Sequence, residues 1–104
     1  MRNSASLTLT AALALTLLSG AAMADGESLY RSAGCVACHG SDGDSAISPD
    51  YPKLAGQNER YLYNQMRDIK SGARANGQSR MMKPMVMHIQ DRDLADIAEW
   101  LSNQ

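Results

Sequence analysis

Cys35-Val36-Ala37-Cys38-His39 is the stretch on which the reading of this chain turns. Two thiols three positions apart, followed at once by an imidazole, form the C-x-x-C-H pattern of a c-type haem attachment site. The spacing has a mechanical reason. Near the end of a helix, two such thiols can each add to one of the two vinyl groups of a haem, and His39 is then delivered beneath the iron. Other chemistries use the same residue types. A thioredoxin-like dithiol needs a βαβ setting, and no stretch of this chain alternates in the manner of a strand. A zinc site wants four ligands from Cys and His; only Cys35, Cys38, His39 and His88 exist, and the neighbours Cys38 and His39 are awkward to bring to one ion. A disulfide across two residues would staple almost nothing. Haem accounts for the pattern best.

Composition points the same way. The chain has 104 residues, 44% of them hydrophobic, with seven Met, two Cys and no Phe. That allows one domain, and domains this small usually need a disulfide, a metal or a partner to offset the cost of ordering the backbone. The thin aromatic content argues against an independent enzyme with a deep pocket. A net charge of −1 leaves no basic excess to neutralise phosphates, so nucleic acid is not expected as a partner.

The first 24 residues read as a secretory signal peptide, with Arg2 at the start, an Ala/Leu/Thr-rich stretch from Leu7 to Leu18, and Ala22-Met23-Ala24 as a small-x-small cleavage site. The apolar run is interrupted by Thr and Ser and falls short of the ~20 residues that span a bilayer, which disfavours a membrane anchor. Residues 25–104 are then the folded domain, exported in a bacterium to the periplasm, with no stable membrane insertion. Without Arg2, nine basic side chains face eleven acidic ones, a net −2.

Three stretches carry helical periodicity. The first runs from Asp25, a plausible cap, through Leu29, Tyr30 and Ala33 to Gly34. The second starts near Asn58, places Tyr61, Leu62, Gln65, Met66 and Ile69 at three- and four-residue steps, and stops at Gly72. The third opens at Gln90 or Asp91, with acids in its first turn as the helix dipole prefers, and carries Leu94, Ile97, Ala98 and Leu101 at core spacing beside Trp100. Between them, Gly40 to Gly56 and Ala73 to Met87 are rich in turn formers. Loops of that length in so small a domain imply that something besides the chain organises them.

Gly26-Glu27-Ser28-Leu29-Tyr30, the CVACHG motif, Tyr51-Pro52-Lys53-Leu54-Ala55-Gly56-Gln57, the helix from Tyr61-Leu62 to Gly72 and the closing Asp93 to Leu101 segment together resemble a class I cytochrome c. The resemblance covers residues 25–104 and is nearest to the cytochrome c-553 group and to one half of the dihaem c-four type. It implies an all-α cytochrome c fold, three or more helices and loops wrapped around one covalently attached haem c. A single C-x-x-C-H excludes a complete dihaem protein.

The resemblance also implies a Met sulfur as sixth iron ligand, from a loop ahead of the last helix. Met81, Met82, Met85 and Met87 are candidates. In the family the ligand lies seven residues before the apolar residue that precedes that helix, here Ile89, and the count lands on Met82. Met85 is the runner-up, followed by Met81; otherwise Met85 fills core, as Met66 does. His88 is too close to the last helix for the ligand position. A proline carbonyl that fixes the imidazole of His39 is a further family feature, read here as Pro49, with Pro52 the alternative. Gly26 and Tyr30 match the first, and Ile97 and Trp100 the last, of the two terminal helices that cross in the family. Tyr61, Tyr63 and Arg67 are placed to approach a haem propionate or to serve as ordinary surface and core.

The function expected from the resemblance is one-electron transfer between transient redox protein partners, some of them membrane-bound, by a monomeric carrier and not by an enzyme. The rivals are a haem enzyme or sensor with an open or labile sixth site, and a cytochrome subunit of a larger oxidoreductase complex. Lys53, Lys70, Arg74, Arg80 and Lys83 belong to segments expected to flank the haem, whereas Asp91, Asp93, Asp96 and Glu99 sit on the last helix. That distribution predicts a basic face on an acidic molecule. Gln90 stands where the family commonly has a capping Ser, which predicts a weaker cap.

Overall fold

Asp25 has an extended backbone and its carboxylate accepts from the amide of Ser28 at 2.7 Å, so the chain turns into helix α1, Gly26–Ser32. That bond holds the Asp25 carboxyl below the usual carboxylate range. The computed structural model describes residues 25–104, together with 4–6, 11, 12 and 14. Most of the leader expected over residues 1–24 therefore lies outside the described residues. Helix α1 stops short of Gly34, whose φ of +83° breaks the helix, and a separate single turn α2, Val36–His39, follows with Cys35 as its cap.

Helix α3, Glu59–Ser71, runs between the expected signals: the Asn58 side chain accepts from the Tyr61 amide at 3.0 Å, and Gly72 ends it in the left-handed region. Residues 77–86 depart from the irregular loop read in the sequence. A 3₁₀ turn, Gly77–Met82, runs directly into α4, Lys83–Val86, with Pro84 tolerated because the first turn of a helix needs no donor there. Helix α5, Asp91–Ser102, starts from Gln90, whose side chain makes no capping bond, with Asp91 and Asp93 in the first turn. Among the described residues there is no strand, and the fold is all-α.

Helix α5 is the centre of the packing, against α1 on one side and α3 on the other. Its Leu94, Ile97, Ala98 and Leu101 are all buried, as their spacing requires. Full burial of each of the three larger side chains stabilises by about 1.5–3 kcal/mol relative to exposure. The crossing with α1 depends on Gly26: a Cβ there would collide with the carbonyl oxygen of Asp96 and lie 2.6 Å from Cβ of Trp100. Beside this contact the Tyr30 and Trp100 rings meet at 5.1 Å. On α3, Leu62 and Ile69 are buried, but Tyr61, expected on the apolar face, is 52% exposed.

The buried core is in two pieces. Tyr30, Leu62, Ile97, Ala98 and Leu101 form one, with Cys35 and Val36 packed against it. Ile69, Val86 and Leu94 form the other, with Met82 against it. Tyr63, Met66 and Ile89 touch both. The attachment motif and the candidate sulfur thus project from two different clusters held in register by α3 and α5.

Candidate haem site

The two thiols are free, with Cys35 partly buried and Cys38 exposed. A single turn joins them, since the amide of His39 donates to the Cys35 carbonyl at 2.9 Å and that of Cys38 to the same oxygen at 3.3 Å. Residues i and i+3 of such a turn are neighbours on one face. Burial pushes the Cys35 thiol above its ordinary value. Among the described residues no group of three or more His, Cys, Asp and Glu is gathered as a metal cluster, so the zinc alternative lacks a geometry here; the dithiol alternative lacks its strands.

His39 is 5% exposed. Its Nδ1 lies 3.3 Å from the carbonyl oxygen of Pro52, and because a carbonyl can only accept, Nδ1 carries the proton and Nε2 keeps its lone pair. Burial lowers the ring pKa, with the bond to Pro52 opposing, and the ring is held neutral, the form that binds metals. The carbonyl read as Pro49 in the sequence is Pro52 instead. The reason is the loop path: Ile47 returns its amide to the Cys38 carbonyl at 3.1 Å, and Leu54 and Ala55 both donate to Gly43. This closure brings the Pro52 end of the loop to the ring.

Two contacts at this end were missed in the sequence. The Tyr51 ring sits 6.2 Å from that of His39. The hydroxyl of Tyr30 donates to the carbonyl of Gly40 at 2.6 Å. The second left a signal: in a chain with no Phe, a buried Tyr needs a partner for its hydroxyl.

Met82 is partly buried at the junction of the 3₁₀ turn and α4, packed on the cluster of Ile69, Val86 and Leu94. Met81 is 64% exposed, Met85 and Met87 somewhat less, and His88 is exposed. The terminal methyl of Met85 reaches across to Gly34, 2.7 Å from where a Cβ would stand, next to Cys35. Arg67 is engaged elsewhere: its Nε lies 3.5 Å from Asp91 and its guanidinium 5.8 Å from the Tyr63 ring centre. Lys70 pairs with Asp91 at 3.1 Å and also donates to the Ile89 carbonyl, while Lys53 pairs with Asp44 at 3.1 Å. Two of the five cations expected on one basic face are thereby neutralised, leaving Arg74, Arg80 and Lys83 outside every ion pair among the described residues.

The residues fit a covalently held haem: two unbridged thiols on one turn, a buried imidazole whose Nδ1 is held by a carbonyl, and a soft thioether available on the segment ahead of the last helix. This site and the all-α fold place the chain in the cytochrome c family, whose family model, Cytochrome c, matches residues 23–104. It is 44% identical over 108 residues to cytochrome c4 of Azotobacter vinelandii, across 98% of this chain and 51% of that protein. Cytochrome c4 of Pseudomonas aeruginosa is 46% identical over 100 residues, 92% of this chain and 48% of that one. Cytochrome c-554(548) of Halomonas halodenitrificans is 43% identical over 70 residues, 67% of this chain and 83% of that one. The chain thus spans about half the length of the cytochrome c4 proteins it matches. It is a class I c-type cytochrome resembling a cytochrome c4 half.

Proposed function

We propose that residues 25–104 hold one haem c, fixed through Cys35 and Cys38 and ligated by His39 and Met82, and that the protein is a periplasmic one-electron carrier exported by residues 1–24. The observation that carries this reading is the orientation of His39, whose buried ring is turned by the Pro52 carbonyl so that Nε2 is left free. The haem iron supplies the one-electron couple. Everything else is positioning by the chain. Cys35 and Cys38 would hold the haem as thioethers, each Sγ–H adding across one vinyl double bond with the hydrogen taken up by the neighbouring carbon, so that attachment would need no oxidant.

His39 and Met82 would both be engaged in holding the haem iron, which would leave no site for substrate and separate a carrier from a haem enzyme. Met as a ligand raises the reduction potential relative to a second imidazole. The Pro52 carbonyl steadies the imidazole and increases its basicity. No helix among the described residues is long and apolar enough to cross a membrane.

The test is a redox titration of the exported protein followed by carbon monoxide addition. A single reversible one-electron step with slow or no carbon monoxide binding is expected. Rapid binding by the reduced protein would show an open sixth site and overturn the carrier assignment.

A further inference from the structure

Helix α3 holds the stretch that carries Met82 at both of its ends. At the near end, the amide of Arg74 donates to the Asp68 carbonyl at 3.0 Å, and its Nη1 donates to Oε1 of Gln65 at 3.0 Å. At the far end, the Lys70 ammonium donates to the Ile89 carbonyl and to Oδ1 of Asp91, the latter at 3.1 Å. The other oxygen of Asp91 takes Nε of Arg67 at 3.5 Å. Between the two ends, Val86 is buried with Ile69 and Leu94, and Met82 packs on the same cluster. The far end is a turn closed by the amide of Ile89, which donates to the Val86 carbonyl at 3.0 Å. Gln90 adds no capping bond there, so the tie from Lys70 is what joins this turn to α3.

We propose that Lys70 is a positioning residue for the sixth iron ligand: by joining the Ile89 carbonyl to Asp91 it keeps the Met82 segment closed on α3. The proposal rests on the reading of Met82 as that ligand. An isolated ion pair at a surface contributes little. Here one ammonium, its side chain 28% exposed, bridges a backbone carbonyl and a carboxylate that Arg67 shares, and hydrogen bonds to charged groups are the stronger ones. Asp91 is also fixed from its own side, since it stands in the first turn of α5, where the helix dipole favours an acid. Loss of the ammonium leaves α5 packed on α1 and α3 through Leu94, Ile97 and Leu101. What it frees is one end of the Met82 segment, a local opening and not a global one.

The test uses the full haem-loaded protein and Lys70→Met, which keeps an unbranched stem and removes the charge. Two readouts are followed: amide hydrogen exchange, and carbon monoxide binding by the reduced protein at saturating gas, where release of Met82 limits the rate. In Lys70→Met, exchange at the Met87 and Ile89 amides and the carbon monoxide rate should each rise roughly tenfold or more. Exchange at the amides from Leu94 to Leu101 should rise less. Lys70→Arg, which keeps the charge and the donors, should behave like the native protein, and adding Asp91→Asn to Lys70→Met should change little further. Gly26→Ala, which strains the crossing of α1 and α5, should lower global stability without singling out Met87 and Ile89. Equal acceleration across Met87, Ile89 and the α5 amides, or a carbon monoxide rate unchanged in Lys70→Met, would overturn the proposal. A native oxidised protein without the sulfur-to-iron charge-transfer band would count against Met82 as ligand, and the exchange pattern would still decide whether Lys70 holds the segment.

Discussion

The hydroxyl of Tyr30 donates to the carbonyl of Gly40 at 2.6 Å, tying the inner face of α1 to the residue directly after His39. Tyr30 is fully buried, so this bond both satisfies the phenol and anchors the loop that orients the imidazole. Tyr30→Phe removes the donor and leaves the carbonyl underpartnered, at a cost of about 1–2 kcal/mol. Chemical denaturation of the haem-loaded variant at neutral pH checks this.

The same residue sets an alkaline limit. Burial, followed by nearby Cys35 and Asp42, pushes the Tyr30 pKa up to about 12 from 10.0. The folded state then holds the phenolic proton more tightly than the unfolded chain, so stability is complete below pH 10 and declines as pH rises from about 10 towards 12. Denaturation midpoints measured across that window should fall in the native sequence and fall less in Tyr30→Phe.

Gly26→Ala places a methyl group against the Asp96 carbonyl and Trp100. The neighbour is helix backbone, which cannot swing aside, so α1 must lift from α5. A loss of about 1–3 kcal/mol is expected, equivalent to a melting temperature lower by roughly 4–8 °C per kcal/mol in a domain of this size. A thermal melt unchanged from the native one would show that the crossing is not tight.

Met82 and Met85 are separable by spectroscopy. Met82→Ala should abolish the sulfur-to-iron charge-transfer band of the oxidised protein and open it to carbon monoxide when reduced. Met85→Ala should keep the band and lose only packing against Gly34, about 2–5 kcal/mol if fully buried and less at its observed exposure.

How much of this was legible depended on how local the cause was. Asn58, Gly72 and the 3.6-residue spacing of Leu94, Ile97, Ala98 and Leu101 act within a turn or two, and α3 and α5 begin and end where those residues say. The 3₁₀ turn and α4 are too short to show a period, and Pro84 masks them as loop. Choosing between Pro49 and Pro52 required the path of a loop closed by Ile47, Leu54 and Ala55, long-range information that no local pattern holds. Likewise Lys53 and Lys70 looked free until their carboxylate partners, distant in sequence, were brought beside them.

The central claim is that Cys35 and Cys38 fasten a haem around which residues 25–104 close. Its most direct test is the intact mass of the exported protein after full denaturation. The expected mass is that of the polypeptide plus one haem, reduced to the bare polypeptide in Cys35→Ala/Cys38→Ala. A native-sequence protein that runs at the mass of the polypeptide alone would contradict it.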